Sequence, residues 1–137
     1  MYPVTTSEQA LAHLFFHFCQ KDNGFNTDET GFIAGKFVEL DIKMDFKNEV
    51  TIYKSYDSRV TDDKAYLEFL MQLIVPVNQL ALFSVCTEIC LSDGLLSSDE
   101  ETMLDTVAPI LKIETAQSET IKKLMIQRKA VQLSKLF

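Results

Sequence analysis

The sequence contains few of the residues that form tight turns, with four glycines and three prolines among 137 residues. A fold of many short strands needs turn residues at most of its connections, so this shortage argues against a β-sandwich or a β-barrel. The sequence also lacks an uninterrupted apolar run of about 18 residues, the length that a membrane-spanning helix requires. We therefore predict a helical protein without a transmembrane segment.

Disulfide and leader signals are equally sparse. Three cysteines do not form a disulfide framework. The N-terminal apolar run LAHLFFHFC has no basic flank and no small-residue cleavage site, so it does not have the pattern of a signal peptide. The predicted location is the reducing cytoplasm.

Excess negative charge limits the classes of ligand. The net charge of −7 argues against nucleic-acid binding, because Lys and Arg supply most of the affinity for phosphates. The charge is uneven: residues 1–111 carry 7 basic and 18 acidic side chains, whereas residues 112–137 carry 6 basic and 2 acidic ones. This asymmetry sets the C-terminal segment apart from the rest of the chain.

The C-terminal segment IKKLMIQRKAVQLSKLF has the pattern of a basic amphipathic helix. One interpretation is that this helix packs on the bundle, where its charges offset the acidic body. The other is that it binds an anionic membrane surface or an acidic protein partner. The residues predicted to contact such a partner are Lys122, Lys123, Arg128 and Lys129.

Apolar residues recur along the chain with a period of about 3.6, which predicts seven helices and no strand. Helix starts are indicated by capping residues, by acids in a first turn and by proline. Proline is tolerated in a first turn because the backbone N–H that it lacks would have no intrahelical partner there. Pro109 is expected to bend or end the sixth helix. The predicted starts of helices three to seven are Asp45, the N-cap Thr61, Pro76, Ser97 or Ser98, and Thr115.

The two halves of the chain repeat one another at an offset of 71 residues. We predict an all-α, compact seven-helix bundle in one domain, residues 1–137, built from two pseudo-symmetric repeats at about 7–57 and 76–134. Repeated units of this kind bury their apolar stripes against each other. The identical pairs are Leu11 and Leu82, Cys19 and Cys90, Asp22 and Asp93, Asp28 and Asp99, Glu29 and Glu100, Leu40 and Leu111, and Ile42 and Ile113.

Each repeat contains an acidic helix–turn–helix segment, residues 22–29 and 93–100, which we call the acidic elbows. Their simplest interpretation is structural. Asn26 and Ser97 precede Glu29 and Glu100 by three residues, which is the spacing of a capping box. In such a box the cap side chain and the glutamate satisfy each other's free backbone N–H groups.

A second interpretation of the acidic elbows is a metal site. Asp22 and Asp93 follow the ends of helices, where the helix dipole disfavours a carboxylate and some compensation is needed. If the two elbows meet, they form a carboxylate cluster suited to Ca²⁺ or Mg²⁺. The candidate ligands are Asp22, Glu29, Asp93 and Glu100. The usual EF-hand pattern is excluded, because Leu95 is apolar.

Two pairs of residues at helical spacing were considered as further sites. His13 and His17 share a helix face as a zinc pair does, but the sequence identifies no third ligand, so a polar helix face is favoured. Cys86 and Cys90 lie on the most apolar helix, with no neighbouring basic group, and core packing is favoured for them.

The segment LFSVCTEICLSDGLLSSDEETMLDTVAPILKIE resembles the tellurite-resistance TerB-like family, which also includes the N-terminal domain of a DnaJ-like membrane co-chaperone. The family motif has Ala-Asp-Gly, a glutamate seven residues after the aspartate, and Leu-Gly-Leu after the next helix. Here Asp93, Gly94 and Glu100 match, whereas serine replaces the alanine and Leu-Lys-Ile replaces Leu-Gly-Leu. The first elbow is a second and weaker match.

The resemblance implies an all-helical, pseudo-symmetric domain with acidic residues as candidate metal ligands. It also implies links to tellurite and other stress responses and an association with membrane-protein partners, and it implies no enzymatic activity. The sequence itself contains no glycine-rich phosphate loop and no Gly-x-Ser-x-Gly motif. Two main functions therefore remain open: a non-enzymatic stress-response protein whose elbows bind a divalent cation, and a protein-interaction module whose elbows only cap helices. A third, a small hydrolase that uses the carboxylates on a bound metal, would need an open pocket beside them.

Overall fold

The computed structural model describes residues 2–20, 27–92 and 95–134, and for residues 27–29 it describes the backbone alone. Within these ranges the protein is all-α, with seven helices and no strand, as the sequence predicted. A 3-10 turn, Asp57–Arg59, follows the third helix. The helices are α1 (Ser7–Gln20), α2 (Thr27–Glu39), α3 (Phe46–Tyr56), α4 (Asp63–Ile74), α5 (Gln79–Cys90), α6 (Ser98–Ile110) and α7 (Thr115–Leu133).

Side-chain caps explain where α3 and α4 begin. The carboxylate of Asp45 accepts a hydrogen bond from the N–H of Asn48 at 3.1 Å, so α3 starts where the sequence predicted. At α4 the cap is Asp62, which accepts from the N–H of Ala65 at 3.1 Å. The prediction of Thr61 as this cap was wrong by one residue, because the carboxylate next to it takes the role.

The fifth helix begins three residues later than predicted. Val75 adopts a left-handed conformation, with φ 44°, and ends α4 by donating its N–H to the carbonyl of Met71. Pro76 then lies in the connection rather than in a first helical turn. Asn78 supplies the side-chain acceptor that starts α5, bonding the N–H of Ala81 at 2.9 Å.

Helix α1 lies at the centre of the bundle. It packs against α3, α4 and α5, and α5 in turn packs against α2, α6 and α7. Residues 12–19 of α1 are all buried, so this helix has no solvent-facing side along that stretch. A helix enclosed on every side is normally apolar all round. His13 and His17 are therefore unusual, because they place two imidazole rings inside the bundle.

The ends of α2 and α6 have the same backbone geometry at an offset of 71 residues. Asp41 and Lys112 are both left-handed, with φ 55° and 60°, and in both cases the next N–H bonds to the carbonyl five residues back at 2.9 Å. This is a Schellman-type helix end, where glycine is usual. The spans of α2 and α6 also differ by 71 residues. The pseudo-symmetry of the whole bundle stays a prediction.

Helix α6 (Ser98–Ile110) ends one residue after Pro109.

In the part of the chain that the structure describes, no helix combines the length and the apolar character needed to cross a bilayer.

Candidate functional site

The second acidic elbow carries the capping box that the sequence predicted. Ser97 Oγ accepts a hydrogen bond from the N–H of Glu100 at 3.1 Å, and the carboxylate of Glu100 accepts from the N–H of Ser97 at 3.0 Å. Glu100 is only 1% exposed. Its carboxylate therefore has a structural role at the start of α6, and the capping interpretation is confirmed at this elbow.

The metal prediction falls mostly on residues that the structure leaves undescribed. Asp22 and Asp93 lie outside the described residues, and so does the side chain of Glu29. Among residues 2–20, 27–92 and 95–134, no three His, Cys, Asp or Glu side chains converge to hold a metal ion. The four-carboxylate site therefore stays a prediction.

The cysteines of α5 lie in the core beside this elbow. Burial raises the pKa of the Cys86 thiol well above its ordinary value. Burial also raises the pKa of Cys90, and the neighbouring carboxylate of Glu100 raises it further. A reactive cysteine needs a lowered pKa and solvent access. Both thiols therefore act as small apolar core groups, as the sequence indicated.

His13 is the centre of a buried hydrogen-bonded network. Its Nε2 lies 2.9 Å from Oε1 of Glu49 on α3, and its Nδ1 lies 2.6 Å from the hydroxyl of Tyr56. The Tyr56 hydroxyl lies 2.6 Å from that of Tyr66 on α4. His13 and Tyr56 are 0% exposed. A chain of polar side chains thus joins α1, α3 and α4 inside the core.

His17 repeats this arrangement one turn along α1. Its Nδ1 lies 2.8 Å from the hydroxyl of Tyr53, and its Nε2 lies 2.9 Å from Oδ1 of Asp63. Each histidine therefore bridges a tyrosine of α3 and a carboxylate, one on α3 and the other at the start of α4. We call the seven residues the His–Tyr network; they are His13, His17, Glu49, Tyr53, Tyr56, Asp63 and Tyr66.

The chemistry of the partners fixes the direction of the hydrogen bonds around His13. A carboxylate only accepts, so Nε2 of His13 carries the proton and donates to Glu49. Nδ1 is then the acceptor, and Tyr56 donates to it. Because that O–H is used, Tyr66 donates to the oxygen of Tyr56. Burial raises the pKa of Tyr56 to about 12 and that of Tyr66 further, so both phenols keep their protons.

A polar helix face at His13 and His17 was predicted from the sequence, but the partners of the two histidines were not. The face exists, yet it is internal, because α3 and α4 cover it with tyrosines. Nε2 of Gln9, one turn before His13 on α1, lies 3.3 Å from Oε1 of Glu49. The tyrosines and carboxylates follow the histidines by 36 to 46 residues, so no local spacing identifies them.

Stability should fall in mild acid because of His13. Burial lowers the pKa of His13 below its ordinary value, although the hydrogen bond and charge of Glu49 oppose this shift. In the unfolded chain the group titrates near about 6.5, so below that pH the unfolded state binds the proton first. We expect the free energy of unfolding to decrease as the pH falls through this value.

Urea denaturation of the wild type and of His13→Gln between about pH 7.5 and 5.5 measures this effect. The expected result is a smaller decrease for the variant, which lacks the titrating group. Equal slopes for the two proteins would contradict the assignment.

The predicted basic residues of α7 do not share one environment. Lys122 is 3% exposed, with its Nζ 2.7 Å from Asp105, 2.9 Å from Glu119 and 3.7 Å from Glu101. Burial opposes the charge, but the hydrogen bonds with Asp105 and Glu119 raise the pKa of Lys122. This lysine is therefore engaged internally between α6 and α7 and is not part of a free surface.

The other three basic residues of α7 divide between two faces. Lys123 is exposed, whereas Arg128 and Lys129 line a groove whose walls are α2 and α7 and whose floor is α5. We call it the α2–α7 groove. The residues lining its two adjoining hollows are Gly31, Phe32, Gly35, Lys36, Glu39, Glu88, Leu91, Met125, Arg128, Lys129 and Gln132.

Charge pairs are already present on one side of this groove. Nζ of Lys36 lies 3.0 Å from Glu88 and 3.1 Å from Glu39, and it stands 5.5 Å from the centre of the Phe32 ring. Burial opposes the charge of Lys36, but its hydrogen bonds with these two glutamates raise its pKa. Arg128, on the opposite wall, has no ion-pair partner among the residues that the structure describes.

A comparison with protein families gives a match over most of the chain. The family model described as tellurite resistance protein TerB matches residues 8–123, from α1 into the first half of α7. No curated protein and no solved structure is significantly similar to the chain.

Proposed function

The chain belongs to the TerB family, and from this membership we propose that it is a non-enzymatic domain related to tellurite resistance that works by binding a protein partner. The observation that carries the proposal is the α2–α7 groove. It exposes an arginine with no ion-pair partner among the described residues, in a chain whose net charge is −7. Such a cation is available to a ligand.

The arrangement of His13, Tyr56 and Glu49 favours a structural role over catalysis. A hydroxyl, an imidazole and a carboxylate in series are also the components of a catalytic triad. In an enzyme, however, the hydroxyl must reach a substrate in an open pocket. Neither His13 nor Tyr56 exposes any surface, which supports the non-enzymatic proposal.

Deletion of the gene from its host tests the proposed role in tellurite resistance. Cells without the chain should survive a lower concentration of tellurite, and re-expression of the chain should restore the original tolerance. Unchanged survival after deletion would remove the link to tellurite.

A divalent-cation site at the acidic elbows is the second proposal. It is supported by the recurrence of Asp and Glu seven residues apart, at positions 22 and 29 and again at 93 and 100. The capping role of Glu100 competes with it, because that carboxylate already accepts a backbone hydrogen bond.

Calorimetric titration of metal-stripped protein with Ca²⁺, Mg²⁺, Zn²⁺ and Mn²⁺ tests the second proposal. If the elbows form a site, binding saturates at concentrations of the order of micromolar and disappears in the double variant Asp22→Asn/Asp93→Asn. If they only cap helices, no ion gives a saturable signal, and the double variant changes stability without any metal dependence.

A further inference from the structure

The α2–α7 groove has the size of a peptide side-chain pocket. Its larger hollow measures about 290 Å³, which is at the lower limit for a small-molecule site. The adjoining hollow, about 20 Å³, has room for roughly one water molecule. This space suits one or two side chains of a protein segment better than a cofactor or a drug-sized metabolite.

The positive charge of the groove that is not offset by a carboxylate favours an acidic ligand. Lys36 is already paired with Glu39 and Glu88, so its charge is offset within the groove. Arg128 and Lys129 have no ion-pair partner among the described residues. A guanidinium presents paired N–H donors that match the two oxygens of a carboxylate.

Beside these cations the groove also has an apolar side chain and an accessible stretch of the α2 backbone. Phe32 lines both hollows, so an apolar side chain of the ligand in the larger hollow would contact its ring. Gly31 and Gly35 lie one helical turn apart on α2, and a Cβ built at either position meets no atom within 4 Å. The open space at these glycines lets a ligand approach the α2 backbone closely.

The exposed apolar residues of α7 argue against a membrane surface as the ligand. A helix that lies on a bilayer needs its apolar residues on one face. Leu124 and Ile126 are both exposed but are two positions apart. A rotation of about 200° around the helix axis separates them, so they lie on nearly opposite faces. Val131 and Leu133 repeat this spacing. Apolar and basic residues are thus mixed around the helix.

We propose that the α2–α7 groove binds a partner-protein segment that presents a carboxylate next to an apolar side chain. The carboxylate pairs with Arg128, and the apolar side chain packs against Phe32 in the larger hollow. This inference rests on the proposed function and names its partner class. Arg128 and Lys129 lie beyond residues 8–123, so the inference concerns this chain rather than the matched family segment.

Titration of the isotope-labelled protein with a synthetic peptide of about twelve residues, carrying Glu and Leu on one helical face, tests the inference. Backbone resonances of Gly31, Gly35 and Phe32 should shift and saturate. Arg128→Glu should weaken binding at least about tenfold. Lys123→Glu is the matched control, because it makes the same charge change on an exposed part of α7 outside the groove, and its affinity should stay within about twofold.

The variant Gly35→Leu distinguishes loss of the binding site from loss of the folded structure. Leucine has a higher helix propensity than glycine, and a Cβ at this position meets no atom within 4 Å, so the melting temperature should not fall. Its side chain fills the larger hollow, so peptide binding should be lost. Binding that survives in Gly35→Leu, or that weakens equally in Arg128→Glu and Lys123→Glu, would overturn the groove as the site.

Two control ligands identify the source of the negative charge. A peptide with Lys in place of Glu should not bind. Vesicles of phosphatidylcholine with phosphatidylserine should not shift the groove resonances; binding to them without binding to the acidic peptide would overturn the inference in favour of a membrane surface. A tellurite phenotype that persists when the peptide fails to bind would reject the groove alone and leave the proposed function in place.

Discussion

Replacement of Tyr56 by phenylalanine should lower the free energy of unfolding by about 2–4 kcal/mol. The ring remains, so the packing of the core is unchanged. What disappears is one hydroxyl with two buried partners, the Nδ1 of His13 and the hydroxyl of Tyr66, each at 2.6 Å. A buried polar group without its hydrogen bond costs about 1–3 kcal/mol, and both partners lose theirs. Urea denaturation at neutral pH measures the change.

Tyr2→Phe is the matched control for this experiment. The ring of Tyr2 packs against those of Tyr56 and Tyr66, with centres 5.0 and 5.1 Å apart, but its hydroxyl has no hydrogen-bond partner among the described residues. Its loss should change stability by less than about 0.5 kcal/mol. Equal effects of the two substitutions would mean that the His–Tyr network contributes packing and not hydrogen bonds.

Replacement of Lys122 by methionine should lower the free energy of unfolding by about 1–3 kcal/mol. Methionine keeps the apolar stem but removes the cation that three carboxylates share. Asp105 on α6 and Glu119 on α7, which lie 2.7 and 2.9 Å from Nζ, would then repel each other. Because both carboxylates are about half exposed, water limits the cost, and the value stays below that of a fully buried pair.

Lys123→Met provides the comparison for Lys122. The two lysines are adjacent, yet Lys123 is exposed, so its substitution should change stability by less than about 0.5 kcal/mol. Thermal and urea denaturation of both variants measure the difference, which added salt should reduce. If both variants were as stable as the wild type, the ion pairs of Lys122 would not stabilise the packing of α7 on α6.

The features that local sequence determines were predicted from it. Asp45 begins α3, and the Ser97–Glu100 capping box begins α6, because each depends on residues three positions apart. The fifth helix was placed three residues early, because proline in a first turn and proline in a connection have the same sequence pattern. The left-handed Val75 that decides between them has no signal in its residue type.

The features that depend on tertiary contacts were not predicted. Glu49 reaches His13 only because α3 packs on α1, and the sequence separation of 36 residues carries no such information. Lys122 and Lys123 are adjacent residues of the same type. Only the packing of α7 on α6 buries the first and exposes the second. The groove requires α2 and α7 to stand on either side of α5, which periodicity alone does not establish.

The most direct test of the central claim, that the chain acts by binding a protein partner at the α2–α7 groove, is the tellurite tolerance of host cells that carry single alleles of the gene. Arg128→Glu should lose tolerance as completely as the deletion. Lys123→Glu and the double variant Asp22→Asn/Asp93→Asn should keep it, with all proteins present at equal levels. Loss of tolerance in the aspartate double variant together with normal growth of Arg128→Glu would contradict the claim and transfer the function to the acidic elbows.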